Sequence, residues 1–267
     1  MPDRRLAAVT PVVALSTGAL LVLAGALSGS TGGSALVYVL LVAVVGAGAV
    51  FGWWYGRQRE KATRAWAARI GWTYYGTDPG LPARWQRAPF GEGRSRRVGE
   101  LIAGAYGERP ASSFAYRYTT GSGKNRRTHT YWVVTMGMPT WLPGLQLTHQ
   151  GLGARIVTTF GGQDLEFESE DFNAAWRVEA RDAKFAHDVL HPRTLERLVR
   201  PDAVGLNLRI EGSDLLCWSQ GLPDTAALAS RLGVMRALID GIPRYVWLDH
   251  GYDPASIRTD LGETWKP

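Results

Sequence analysis

Two histidines with an acidic residue between them have the spacing that comes nearest to a metal or acid–base site. His187 and His191 are four residues apart, so a helix would place both imidazoles on one face. A zinc site needs further ligands, and no third one follows at a suitable spacing. Pro192 disfavours the helical region at His191, which predicts a helix boundary there. We therefore expect both histidines to be structural.

A row of acidic residues alternates with other side chains further upstream. Its members are Asp164, Glu166, Glu168 and Glu170. In a strand, alternate side chains point to one face, so four carboxylates could bind Ca²⁺ or Mg²⁺ through oxygen ligands. A solvated strand edge that resists aggregation is the more common reason for such a row, and it is the interpretation that we prefer.

The remaining chemical motifs indicate packing rather than catalysis. Gly121–Lys124 resembles half of a phosphate-binding loop, but Tyr118 and Asn125 stand where glycine and Ser or Thr are needed. The one cysteine, Cys217, excludes an internal disulfide and sits in an apolar run typical of a buried strand. The sequence contains no nucleophile elbow, zincin motif or dinucleotide fingerprint. We expect no cofactor and no metal, and the pattern favours a protein without catalytic activity.

The elements that carry these residues follow an uncharged N-terminal block. The chain has 267 residues, and the 51 residues from Leu6 to Gly56 contain no Asp, Glu, Lys, Arg or His. Because a transmembrane helix needs about 20 apolar residues, the block predicts two, at 6–27 and 35–55, joined by the polar turn Gly29–Ser34. A signal peptide is the alternative for the first segment, although its apolar stretch is longer than a typical signal core.

Basic residues flank the outer ends of this predicted transmembrane hairpin and are absent from its turn. They are Arg4 and Arg5 before the first helix, and Arg57, Arg59, Lys61, Arg64 and Arg69 after the second. The positive-inside rule predicts a bacterial inner-membrane protein with both termini and the 57–267 region in the cytoplasm. Trp53, Trp54 and Tyr55 stand where the aromatic belt of the inner interface belongs.

Small residues recur at four-residue spacing on the second predicted helix. Gly48, Gly52 and Gly56 would form a smooth face that another helix backbone can approach closely. Packing against the first helix of the same chain is one interpretation. A homodimer formed through the second helix is the other.

Positive charge is concentrated next to the membrane block, since residues 57–130 carry 15 Lys and Arg against 5 Asp and Glu. The five basic residues from Arg57 to Arg69 could fix the topology alone or also bind anionic lipid headgroups. A second basic group could face nucleic acid with the help of Tyr116 and Trp132. That group comprises Arg94, Arg96, Arg97, Arg126 and Arg127. No recognised nucleic-acid module accompanies it, so we expect no nucleic acid.

The sequence of residues 57–267 predicts an α+β domain with an antiparallel sheet. A juxtamembrane helix is expected at 57–72, the domain at 73–248 with a possible boundary at 161–171, and a loosely ordered tail at 249–267. One face of the juxtamembrane helix should hold Ala62, Trp66 and Ile70.

Alternating apolar residues predict the strands, and acidic caps and prolines predict the helices. One hairpin is expected between 114–118 and 130–135, a further strand at 154–160, and a second hairpin between 206–210 and 215–218. Helices are expected after Asp182, at Pro192 and after Asp224.

One segment resembles a family of uncharacterised, actinobacterial-like membrane-anchored proteins with two N-terminal transmembrane helices. In that family a Phe-rich strand precedes a helix that begins at Asp and ends in a Leu-x-Pro break. The residues that carry the likeness are Phe172, Trp176, Val178, Asp182, Ala186, Leu190 and Pro192. The resemblance implies a cytoplasmic α+β domain and supplies no site residues. His191 stands where the family more often has Thr.

These observations predict an inner-membrane-anchored protein with a cytoplasmic binding or scaffolding domain and an unknown protein partner. The alternative is a membrane-tethered hydrolase that uses Asp or Glu with His187 or His191. Convergence of these residues in one pocket would favour the hydrolase.

Overall fold

A computed structural model describes residues 32–149 and 163–256 of the chain. The first predicted transmembrane helix, the predicted strand at 154–160 and the end of the predicted tail lie outside these residues. The helices are α1 Gly32–Arg69, α2 Glu170–Ala175, α3 Ala183–Val189, α4 Pro192–Leu198, α5 Thr225–Asp240 and α6 Arg244–Asp249. The strands are β1 Thr73–Gly76, β2 Arg94–Tyr106, β3 Arg109–Thr120, β4 Arg127–His149, β5 Gln163–Leu165, β6 Trp176–Ala180 and β7 Asn207–Gln220.

The chain divides into two compact units, Met1–Lys61 and Ala62–Pro267. Helix α1 runs without interruption through the predicted second transmembrane helix and the predicted juxtamembrane helix, and it ends at Arg69. Its portion Val39–Arg69 is long and apolar enough to cross a membrane, with a mean hydropathy of 1.8 in its apolar window, none of which is buried. This helix is consistent with membrane anchoring.

The second unit is built on a seven-stranded sheet in which every pairing is antiparallel. Strands β1, β2, β3 and β4 are neighbours in that order, followed by β6 and β5. The 23-residue β4 joins two parts, because its first half pairs with β3, its last five residues pair with β6, and β7 follows it on the other side. The register between β4 and β7 shifts around Leu142.

Each face of the sheet carries its own apolar core. Helices α2 to α6 cover one face and pack on a large cluster that includes Trp132, Met136 and Leu147. The opposite face carries an aromatic cluster around Phe114 and Tyr116, to which Trp85 and Phe90 contribute from the long connection between β1 and β2. A connection without a long helix therefore closes the second core.

The α+β class and the antiparallel sheet are confirmed. The hairpin between β3 and β4 is confirmed too, and its loop contains the 3-10 turn Gly123–Asn125, so the glycine-rich segment is a hairpin turn. Asp182 and Asp224 accept hydrogen bonds from the first turns of α3 and α5. Pro192 begins α4.

The predicted second hairpin is wrong. Residues 206–218 do not reverse direction, because β7 is one 14-residue strand that pairs with β4 along its length. Gly212 has a φ of 68°, a value that is also found in turns. In this protein it lies at the irregularity in strand register opposite Leu142. A glycine between two apolar runs is typical of both a turn and a bulge.

Three local expectations also need correction. The acidic row is not one strand, since β5 ends at Leu165 and α2 begins at Glu170. Phe172 lies in helix α2 rather than in a Phe-rich strand. The buried face of the α1 end is shifted by one residue, because Thr63 and Ala67 are buried whereas the predicted Ala62 and Ile70 are exposed.

The beginning of the predicted tail packs against α6. The ring centroids of Tyr252 and Trp247 lie 5.8 Å apart, and Arg244 forms an ion pair with Asp253 at 3.0 Å.

Candidate functional site

A connection pinned to strand β7 closes the aromatic face of the sheet. We call residues 77–93 the strap. The guanidinium of Arg209 donates to the carbonyl of Ala88 at 2.6 Å and to that of Arg87 at 3.2 Å. The carboxylate of Glu211 accepts from the backbone N–H of Gln86 at 3.0 Å. These contacts hold the strap at its centre.

Arg209 is a fully buried cation with an acidic partner. Its Nε lies 3.0 Å from Oε2 of Glu211, and its guanidinium carbon lies 4.9 Å from the ring centre of Trp218. A second Nη1 contact reaches the amide oxygen of Gln146 at 3.3 Å. Burial lowers the pKa of Arg209 to about 10, and the carboxylate of Glu211 opposes this shift. The residue remains charged at neutral pH and acts as a structural clamp.

Asp214 attaches the N-terminal half of the strap. Its Oδ2 accepts from Nε1 of Trp85 at 3.1 Å and from the guanidinium of Arg84 at 3.0 Å. Burial raises the pKa of Asp214, while Arg84 and Trp85 oppose that shift. Arg84 is more than half exposed, so the ion pair is solvent-screened on one side.

An open groove of about 340 Å³ lies beside this attachment point. Small residues of three strands line it, among them Ala103, Ser112 and Gly137, together with Tyr75, Leu81, Arg84 and Asp214. Small side chains leave the backbone of the sheet accessible to a bound group. The groove is the candidate binding site of the described part of the second unit.

The chemistry of the groove suits binding more than bond cleavage. The hydroxyls of Ser112 and Thr135 lie 2.6 Å apart and hydrogen-bond to each other. A serine nucleophile needs a general base within hydrogen-bond reach, and the described partner of Ser112 is another hydroxyl. Asp214 is occupied by Trp85 and Arg84. The groove therefore offers hydroxyls, the carboxylate of Asp78, one guanidinium and the exposed ring of Tyr75.

The two histidines face different surroundings. His187 is exposed on α3, where its ring lies 4.8 Å from that of Phe167. His191 precedes α4, and its Nε2 lies 2.8 Å from the carbonyl of Gly241 and 3.2 Å from the hydroxyl of Thr194. Neither lines the groove. Within the described residues, no group of three or more His, Cys, Asp or Glu could hold a metal ion.

Cys217 is a buried thiol, as expected. Burial raises its pKa to about 11, although Arg231 opposes the shift. At neutral pH the group is therefore neutral and a poor nucleophile.

The residues predicted to lie at the membrane interface and those predicted to pack against another helix are all on α1. Trp53, Trp54 and Tyr55 are exposed, and the guanidinium of Arg57 stacks over the ring of Trp53 at 4.5 Å. Apart from the adjoining residues and backbone of α1 itself, no described atom lies within 4 Å of where a Cβ would stand on the predicted packing glycines Gly48, Gly52 and Gly56.

The five predicted headgroup-binding residues extend along the helix to its end. Four of them, Arg57, Lys61, Arg64 and Arg69, are exposed, and Arg59 is half-buried. The Arg64 guanidinium lies 5.0 Å from the ring centre of Tyr74. Binding of anionic lipid by this segment stays a prediction.

Sequence reasoning missed the strap and the groove. Arg209 between Leu208 and Ile210 was a usable signal, because a lone cation inside an apolar strand needs a partner when it is buried. Ser112, Thr135 and Asp214 carry no such local signal, since three separate strands bring them together.

Comparisons with known proteins do not identify a family. No protein-family model matches the chain, and no curated protein matches it either. Among solved structures, the chain is similar to the crystal structure of the mycobacterial trehalose monomycolate transport factor A, TtfA. The TM-score is 0.49 with 14% sequence identity, over 69% of this chain and 96% of that chain.

Proposed function

We propose that this chain is a bacterial inner-membrane protein whose cytoplasmic α+β domain binds or scaffolds a partner without performing catalysis. One observation carries the proposal. An apolar helix with no buried residue in its membrane-length window leads directly into a domain with its own two cores. A helix of a soluble core would be mostly buried, whereas a membrane anchor exposes its apolar residues to lipid.

The finer topology belongs to the same proposal. A first helix at 6–27 and the membrane portion of α1 form a hairpin, which leaves both termini and the domain in the cytoplasm. Trp53, Trp54 and Tyr55 lie at the inner interface, and the basic residues from Arg57 to Arg69 contact anionic headgroups there.

Extraction of cell membranes tests the anchor. Full-length protein should remain in the membrane pellet after alkaline carbonate, and detergent should release it. In a background without residues 6–27, where α1 is the remaining proposed anchor, a variant in which Leu40, Val44 and Phe51 are all changed to Lys should move to the soluble fraction, because charges inside the bilayer are unfavourable. A matched variant with Leu222, Tyr245 and Leu248 changed to Lys removes exposed apolar residues of the domain and should stay in the pellet. Release of the unchanged protein by carbonate would refute anchoring.

A further inference from the structure

Seven basic residues lie at one end of strands β2, β3 and β4, and the groove lies towards the other end of β2 and β3. We call this set the arginine end. It comprises Arg94, Arg96, Arg97, Arg117, Lys124, Arg126 and Arg127. Strand pairing creates it, because Arg94 lies opposite Thr119, Arg97 lies opposite Arg117, and Arg127 lies opposite Thr120. Lys124 and Arg126 come from the adjoining hairpin turn.

All seven side chains are exposed, and little acidic charge opposes them. Arg117 lies 3.9 Å from the carboxylate of Glu100, and Arg96 donates to the backbone carbonyls of Gly91 and Glu92. The other five have no ion pair among the described residues. A cluster of like charges repels itself, so the arginine end attracts an anionic partner.

The aromatic residues of this region argue against nucleic acid as the partner. Single-stranded nucleic acid binds by stacking bases on exposed rings. Tyr116, Tyr118 and Trp132 are only 0%, 6% and 3% exposed. The rings of Tyr116 and Tyr118 contact each other in a tilted arrangement within the aromatic core, with centroids 5.9 Å apart, and Trp132 donates to Ser113 inside the sheet. Their rings are not available to bases.

The shape of the arginine end argues against a peptide as well. Peptide recognition uses a groove, a pocket or a free strand edge. The groove of this domain is at the other end of strands β2 and β3, where it is lined by Ala103 and Pro110. The arginine end instead presents its charge on strand ends and a turn, which suits a surface of many anionic groups better than one extended peptide.

We infer that the arginine end docks on the anionic phospholipid headgroups of the membrane. The inference rests on the proposed membrane anchoring, which keeps the domain at a high effective concentration beside a bilayer. Each basic residue near an anionic surface adds electrostatic attraction. Dissolved salt screens this attraction beyond a Debye length of about 8 Å at physiological ionic strength.

Added vesicles test this docking with the full-length protein. The protein is placed in nanodiscs of phosphatidylcholine, and its co-flotation with vesicles of phosphatidylcholine alone or mixed with phosphatidylglycerol is measured. We expect binding only to the anionic vesicles, with loss at high salt. The variant Arg94→Gln/Arg97→Gln/Arg127→Gln should weaken this binding roughly a hundredfold.

A matched variant removes the same charge elsewhere. Arg181, Arg193 and Arg200 are exposed and lie outside the arginine end, so changing them to Gln should leave vesicle binding nearly unchanged. An equal loss in both variants would overturn the inference, because it would indicate net charge alone. Absence of vesicle binding, or tighter binding to single-stranded DNA or a polyglutamate peptide, would also overturn it.

The result is separable from the test of the anchor. Carbonate extraction reports on α1 and does not depend on the arginine end. A third variant, Arg57→Gln/Lys61→Gln/Arg69→Gln, measures the juxtamembrane contribution in the same flotation assay. If this variant alone abolishes binding while the arginine-end variant binds normally, docking by the arginine end is refuted and anchoring stands.

Discussion

At the scale of single residues, Arg209 shows how a buried charge organises a connection without regular structure. Its guanidinium donates hydrogen bonds to the backbone carbonyls of Arg87 and Ala88 in the strap and forms an ion pair with Glu211. Arg209→Met should lower the free energy of unfolding by about 3 kcal/mol, because it removes the cation beside Oε2 of Glu211 and the donor to the carbonyls of Arg87 and Ala88. Urea unfolding of the full-length protein in detergent, followed by tryptophan fluorescence, measures the change.

The matched control for Arg209 is Arg193→Met, which changes an exposed arginine on α4. It should alter stability by less than about 0.5 kcal/mol. Equal effects of the two substitutions would contradict the role of Arg209 as a clamp.

Asp214 makes a prediction about pH. Because burial raises its pKa in the folded protein, the folded state holds the proton more tightly than the unfolded state. Protonated Asp214 therefore stabilises the folded protein at acid pH. This stabilisation is lost as the pH rises through the pKa of Asp214 in the folded state. Asp214→Asn should therefore gain stability relative to the unchanged protein between about pH 4 and neutrality. Urea midpoints measured across this range check the sign, and a difference that does not vary with pH would contradict it.

At the scale of elements, Trp72 docks the end of α1 on the sheet. The indole donates to the carbonyl of Ala105 at 3.0 Å, and its ring covers Gly104. A Cβ at Gly104 would lie 2.4 Å from that ring. Gly104→Ala should thus destabilise the domain by about 1–3 kcal/mol through overpacking, measured by urea unfolding. Gly99→Ala on the same strand has no atom within 4 Å of the new Cβ and should be nearly neutral.

The glycine face of α1 makes a prediction about association. Gly52→Leu should disrupt a homodimer formed through this helix, because the larger side chain keeps two backbones apart. Gly46→Leu is the control, since Gly46 lies about 120° around the helix from Gly52 and outside the glycine face. Crosslinking of full-length protein in mild detergent should show dimers for the unchanged chain and the control. A monomer in all three cases would refute the dimer.

At the scale of the whole molecule, the distribution of charge predicts the topology. The predicted outer turn Gly29–Ser34 has no charge, while Arg4, Arg5 and the basic residues after α1's apolar portion flank the other side. A reporter active only in the cytoplasm should work at either terminus. A cysteine at Ser30 should react with an impermeant thiol reagent in intact cells, whereas the buried Cys217 should not. Cleavage of the domain by external protease would contradict this orientation.

The sequence by itself determined the features that depend on neighbouring residues. Each of these features depends on one short segment of sequence. They are the uncharged stretch long enough to span a bilayer, the helix caps at Asp182 and Asp224, and the helix start at Pro192. These signals are local because desolvation and backbone capping act on the residues that carry them.

Only the tertiary structure decided how distant segments combine. The apolar sequences on either side of Gly212 are compatible with either a hairpin or a single strand. Pairing of both with the long strand β4 makes them one strand. Likewise, Arg84 meets Asp214 across 130 positions, and the arginine end assembles from two strand pairings. Such contacts depend on register, which is set by the burial of two opposite sheet faces at once. A single strand's pattern does not specify its partner.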